Sequence, residues 1–304
     1  MKIGKNYERK SHMNFFESII LGFIQGVAEF LPVSSSGHLA IFKTIFGLED
    51  VGLAFDLMLH LGTLVAVFIV YRSDIWELIK EGLAIVADCC RNTARFCSNK
   101  FKGGSHEYVK IVSTAYRKFV MLVIVSTIPT GILGLVFKKV FNLDHPSLII
   151  PGIALLITGL MLSIVDDIPN GGKTPKNTTY GNAAVIGIAQ GVATLPGISR
   201  SGTTLTVGLL NGLDRSFAVK YSFIMSIPAI LGANILEIKD MFEPANRISS
   251  GEFINYLVGT AVAAVVGYIC IKTMLVIVRN KKMKYFSYYC FAMGVVAIAA
   301  YFIK

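Results

Sequence analysis

Glu29, His38 and Arg200 are ionisable residues inside or beside long apolar stretches. A charge at the centre of a membrane helix costs about 2.5–3.5 kcal/mol on insertion scales, which makes such residues functional candidates by default. Arg200 is flanked by Ser199 and Ser201 and followed by Gly202-Thr203-Thr204, where a helix is predicted to begin. A helix N-terminus offers free N–H groups and a partial positive charge to an anion, and a guanidinium fork beside it can grip two phosphate oxygens. The plain alternatives are an arginine snorkelling to the interface or paired with a buried glutamate. The run Ser34-Ser35-Ser36-Gly37-His38 adds hydroxyls and an imidazole that titrates near neutral pH. Alone, it would read as an N-cap followed by a structural histidine. Gln25 and Glu29, four apart, share a helical face, as do Asp56 and His60. For the latter pair, a helix-end acid with a packed imidazole competes evenly with a supporting role.

These residues need a scaffold, and the composition says which kind. The chain has 304 residues, 54% hydrophobic and 16% charged, with mean hydropathy +0.62, whereas soluble domains carry about 25% charged residues. Six apolar runs can each span about 30 Å of hydrocarbon, at roughly 53–71, 119–137, 148–165, 217–237, 253–278 and 286–303. Two further regions are broken. Region 15–47 is cut by Pro32 and the serine run, and region 183–212 by Pro196-Gly197 and Ser199-Arg200-Ser201-Gly202. Their short pieces read as re-entrant helices.

The two broken regions are copies. Gly22, Gln25, Gly26, Val27 and Ala28 match Gly187, Gln190, Gly191, Val192 and Ala193, and the match runs on without a gap through Ser34/Ser199, Ser36/Ser201, Gly37/Gly202, Gly47/Gly212 and Leu48/Leu213. A re-entrant hairpin adds no net crossing, and three spans follow each hairpin, so the halves should point in opposite directions. Inverted repeats with matching broken helices place a site near the midplane, at the repeat interface. The expected fold is therefore an all-α polytopic membrane protein: an N-terminal tail (1–14), then one membrane domain (15–304) with a first repeat over 15–165 and a second over 183–304. Each repeat holds one re-entrant hairpin plus three transmembrane helices. The copies differ where the charges lie, one keeping Glu29 and the other Arg200, as a division of labour would require.

Net charge is +10, with the lysines and arginines gathered in connectors such as 72–118 and 279–285. That distribution follows the positive-inside rule, not nucleic-acid binding, and places these loops in the cytoplasm together with 166–182. The basic N-terminal tail then falls outside, against the rule. Cys89, Cys90 and Cys97 fit neither a disulfide framework nor a zinc spacing. Residues 15–30 lack a small-x-small cleavage site and are read as retained.

The two motifs resemble those of the bacterial undecaprenyl-diphosphate phosphatases, the bacitracin-resistance type of membrane phosphatase. Gln25-x-x-x-Glu29 with the serine-rich turn and His38 is similar to the family's first motif. Pro196-Gly-Ile-Ser199-Arg200-Ser201-Gly-Thr-Thr204 is similar to its second, and Tyr221 to Pro228 resembles the segment that follows it. The first acidic position holds Gln25 instead of Glu. The resemblance implies hydrolysis of undecaprenyl pyrophosphate to the monophosphate and inorganic phosphate, recycling the lipid carrier of cell-wall synthesis from a multi-pass position in the cytoplasmic membrane, with the site facing outside. In that reading Arg200, Ser199, Ser201, Thr204, Gln25 and Ser36 hold the substrate. His38 is the nucleophile, or the acid or base for Ser35 or a water. Glu29 orients His38, acts as base or binds a divalent cation (Mg²⁺ or Ca²⁺). The rival class is a carrier or flippase of polyprenyl phosphate built on the same cleft. A homodimer is left open.

Overall fold

The computed structural model describes residues 13–48, 51, 53–101, 103–141, 149–241 and 250–303; residues 1–12, most of the expected N-terminal tail, lie outside the described residues. Among the described residues the chain forms eleven α-helices and no strand. They are α1 (Phe15–Phe30), α2 (Ser35–Phe46), α3 (Leu53–Val70), α4 (Arg72–Phe101), α5 (Ala115–Phe141), α6 (Ile149–Ser163), α7 (Tyr180–Val192), α8 (Arg200–Leu210), α9 (Arg215–Met241), α10 (Ser250–Arg279) and α11 (Lys284–Ile303). The helices α5, α9, α10 and α11 are long and apolar enough to cross a membrane. The short α3 qualifies only together with α4, from which it is bent by 87°. The 15-residue α6 is shorter than the expected span. Apolar side chains such as Ile128, Ile132 and Leu135 point outward from α5, as lipid-facing residues do.

Both broken regions are helix–turn–helix units, α1–α2 and α7–α8. Local chemistry explains why they repeat. α1 opens on a capping box in which Asn14 and Glu17 bond each other's backbone N–H at 2.9 and 2.8 Å, and this is what holds Glu17. α7 opens on the equivalent box of Thr179 and Asn182. Gly47 ends α2 in the left-handed conformation (φ +68°), and Gly212 follows α8 at φ +80°, the usual glycine stop.

The repeated glycines also set the packing. A Cβ on Gly22 would lie 2.3 Å from the Gly259 carbonyl oxygen of α10, and one on Gly187 would lie 2.2 Å from the Ser126 carbonyl oxygen of α5. Gly26 and Gly191 press on the same two helices one turn along. Small residues four apart let helix backbones approach closely in lipid, where dispersion rather than water exclusion drives association. The hairpin helix of each half thus packs along a long helix of the other half, α1 on α10 and α7 on α5, so the halves interleave.

The basic connector 72–118 contains more order than its charge pattern suggested. Most of it is α4, which α5 clasps. Arg117 reaches Glu81 at 2.8 Å and Asp88 at 2.7 Å, while Asn92 makes two 2.8 Å bonds to the Val109 backbone. The Arg117 hydrogen bond holds the Glu81 carboxyl below its usual range. Cys89, Cys90 and Cys97 are exposed free thiols on α4.

Candidate active site

The two turns meet. A Cβ on Gly37 would touch Gly197, and one on Gly202 would touch Pro32. These contacts are each other's equivalents, since Pro32 and Gly197 occupy matching positions of the two copies. Ser36 Oγ accepts from the Gly197 N–H at 3.2 Å, and Ser201 Oγ reaches the Leu31 carbonyl at 3.5 Å. At each turn a serine caps the next helix: Ser34 Oγ accepts from Gly37 N–H at 3.3 Å, and Ser199 Oγ from Gly202 N–H at 3.1 Å. The N-termini of α2 and α8 therefore converge on one cavity of about 280 Å³, whose wall includes Glu29, Ser35, His60, Gln190 and Arg200. Two helix N-termini and a guanidinium suit such a cavity to an anion.

Glu29 is its hub. One carboxylate oxygen pairs with Arg200. The other accepts from Ser35 Oγ at 2.8 Å and from Gln25 Nε2 at 3.1 Å. The Gln25 amide also lies 3.1 Å from His60 Nδ1, which is 3.6 Å from the carboxylate. With its side chain 2% exposed, Glu29 can stay in the bilayer because each oxygen has a partner and the charge is matched.

Ser34 is one of two non-glycine residues with positive φ among the described residues (φ +69°, ψ +100°), a backbone conformation that costs about 1–3 kcal/mol. It persists because surrounding bonds hold it, and it turns the chain so that Ser35 faces Glu29.

Most of the expected site residues come together. Glu29, Ser35, Ser36, Ser199, Arg200 and Ser201 line the cavity, and Gln25 lies beneath it on Glu29. Two do not. Thr204 Oγ1 turns to the Arg200 carbonyl at 2.8 Å and to Ser222 of α9 at 2.5 Å. His38 lines a separate, apolar cavity between α1, α2 and α11. Its Nδ1 meets the Ser34 carbonyl at 2.8 Å and its Nε2 meets Tyr289 Oη at 2.7 Å. The imidazole in the cleft is His60 instead. Its i,i+4 spacing from Asp56 was the only sequence signal, which left its role open; Asp56 itself pairs with Lys43 at 2.7 Å.

The donors present bear on a cation. Among the described residues no cluster of three His, Cys, Asp or Glu side chains could chelate a metal. The Gln25 and Gln190 amide oxygens are buried without a hydrogen-bond donor, and Glu29 supplies a carboxylate. Mg²⁺ is commonly held by one or two carboxylates together with waters and substrate phosphates. The residues fit a cation held that way better than a resident metal in an all-protein cage.

The fold and site define a multi-pass membrane protein with a polar, anion-seeking cleft between two broken helices. Residues 18–296 match the family described as "Bacitracin resistance protein BacA", and the chain belongs to that family. It is 39% identical to the undecaprenyl-diphosphatase of Alkaliphilus metalliredigens over 94% of this chain and 98% of that one. It is 38% identical to that of Carboxydothermus hydrogenoformans (93% and 96%) and 37% identical to that of Methanosphaera stadtmanae (94% and 98%).

Proposed function

We propose that the protein hydrolyses undecaprenyl pyrophosphate to undecaprenyl phosphate and inorganic phosphate, as the names of its relatives describe. The observation that carries the chemistry is the Ser35 hydroxyl bonded to the Glu29 carboxylate at 2.8 Å, beside Arg200 and the N-termini of α2 and α8. The pyrophosphate enters the cavity and draws Arg200 off Glu29 onto its own oxygens, where the guanidinium and the turn N–H groups stabilise the charge of the transition state. Ser35 Oγ attacks the terminal phosphorus and gives its proton to Glu29. The bond to the bridging oxygen breaks, and polyprenyl phosphate leaves. A water then cleaves the phosphoserine ester, releasing inorganic phosphate and restoring the Ser35 hydroxyl. A Mg²⁺ or Ca²⁺ near Glu29 and Gln25 would neutralise phosphate charge. His60, 3.1 Å from the Gln25 amide and 3.6 Å from the carboxylate, is placed to tune or relay protons at Glu29.

The cleft is read as opening to the outside. Along α3, His60 in the cleft is eleven residues from Tyr71, where the chain turns into the basic connector; at 1.5 Å per residue that is about 16 Å. If the connector is cytoplasmic, the cleft lies toward the other face. The inverted relation of the halves is supported by the reciprocal contacts of the two turns.

The test is release of phosphate from undecaprenyl pyrophosphate by purified protein in detergent with Mg²⁺ or Ca²⁺ present. Release that Ser35→Ala abolishes is expected. No release, with lipid phosphate crossing proteoliposomes intact, would establish a carrier in its place.

A further inference from the structure

His38 is 3% exposed, faces away from the cleft, and is nevertheless joined to it through the backbone. A carbonyl oxygen can only accept, so the 2.8 Å contact with the Ser34 carbonyl puts the ring proton on Nδ1. That leaves Nε2 to accept the Tyr289 hydroxyl proton at 2.7 Å. The two rings stack, with centroids 5.5 Å apart and planes 10° apart. The Ser34 carbonyl also accepts the His38 backbone N–H at 3.2 Å, so two donors from one residue grip it. Ser34 is the residue with φ +69°, and the peptide that its carbonyl belongs to leads directly into Ser35. Rotating that peptide would swing Ser35 Oγ off Glu29 and Ser36 Oγ off the Gly197 N–H.

We infer that Tyr289 and His38 are positioning residues for the reaction: the Tyr289 hydroxyl fixes the Nδ1–H tautomer of His38, which clamps the Ser34 carbonyl and so aims Ser35 at Glu29. This rests on the reading of Ser35 and Glu29 as the reacting pair. It assigns a function to the last helix of the chain, which lines no part of the cleft, and it moves His38 from proton transfer to geometry. The titratable groups that share the His38 cavity are the phenols of Tyr285 and Tyr289, both on α11. The neighbouring α6 (Ile149–Ser163) contains no ionisable residue, and Glu29 of α1 turns to Arg200. Among the described residues, the hydrogen-bond partners of the His38 ring are the Ser34 carbonyl and the Tyr289 hydroxyl, and no carboxylate bonds it.

The experiment measures kcat, KM and the pH–rate profile for phosphate release by wild type, Tyr289→Phe, His38→Asn, His38→Ala and Ser35→Ala, with each melting temperature recorded. Asparagine places an amide N–H where Nδ1–H stands. Tyr289→Phe should lower kcat about three- to thirtyfold with KM changed less than about twofold, because an interaction made for the transition state is loosened. His38→Asn should keep at least about tenfold more kcat than His38→Ala, and both limbs of its pH profile should stay in place. A His38→Asn variant that is as inactive as His38→Ala while melting like wild type, or that loses a limb of the pH profile, overturns the inference, as does Tyr289→Phe indistinguishable from wild type. An active Ser35→Ala would sink the underlying reading instead, so the two failures are separable.

Discussion

Glu29 and Arg200, 171 residues apart in sequence, form an ion pair across the two turns. Each comes from the copy that lacks the other: position 194, equivalent to Glu29, is threonine, and position 35, equivalent to Arg200, is serine. A duplicated scaffold has thus been made chemically asymmetric at two matched positions.

The pair predicts a split between stability and activity. Arg200→Gln strands a carboxylate that is 2% exposed, and Glu29→Gln strands a guanidinium that is 20% exposed. Breaking a buried pair from one side costs about 3–5 kcal/mol, with the lower end expected for Glu29→Gln because Arg200 keeps some contact with water. The double variant Glu29→Gln/Arg200→Gln leaves no stranded charge and should melt above either single variant in detergent, yet remain inactive. A double variant whose losses merely add would mean that the pair is not coupled.

Arg200→Lys separates charge from shape. Lysine restores a positive charge but not the planar fork that grips two oxygens. The variant should melt near wild type while phosphate release falls about a hundredfold or more, as for loss of a transition-state donor. Activity within a few-fold of wild type would show that only charge matters at this position.

Much of this was readable from the chain because lipid enforces simple rules. Apolar runs marked the four long spans α5, α9, α10 and α11, while the runs at 53–71 and 148–165 became the shorter α3 and α6, and two copies of Gly-x-x-Gln-Gly-Val-Ala with a serine turn marked the two broken helix pairs. The sequence could not show why those glycines repeat, since Gly22 and Gly187 answer to Gly259 and Ser126, partners that only the interleaving supplies. It identified α2 as carrying an imidazole without showing which way that imidazole faces; the Ser34 carbonyl and Tyr289, 251 residues away, decide it. Thr204 stands off the cavity for a similar reason, since its hydroxyl is engaged by Ser222 on α9. The helix α4 was hidden because its basic residues read as a loop, and its clasp by Arg117 is a tertiary effect.

The glycine seams give a packing prediction. Gly22→Ala and Gly187→Ala each put a methyl within 2.4 Å of a backbone oxygen, and backbone cannot step aside as a flexible side chain can. Overpacking of this kind costs about 1–3 kcal/mol. Gly131→Ala on α5, where nothing lies within 4 Å of the added carbon, should be neutral or slightly stabilising through helix propensity. Thermal unfolding in detergent should therefore rank Gly131→Ala above both seam variants, and the reverse order would refute the close approach.

Gln25 offers the sharpest test of the cation. Its amide N–H groups face Glu29 at 3.1 Å and His60 at 3.1 Å, while its oxygen is buried without a donor. Gln25→Glu exchanges that neutral bridge for a second carboxylate four residues from Glu29, on the same helical face. Two like charges so close repel unless a proton or a cation sits between them, and added ligand charge strengthens binding of a hard cation. The variant should therefore need less Mg²⁺ or Ca²⁺ for half-maximal phosphate release, by about three- to tenfold, and should lose more activity than wild type when a chelator is added. Gln25→Leu removes both the bridge and the spare oxygen, and should raise the cation requirement instead. If the cation titrations of all three proteins superimpose, the metal does not sit beside residue 25, and its contacts are with the substrate phosphates alone.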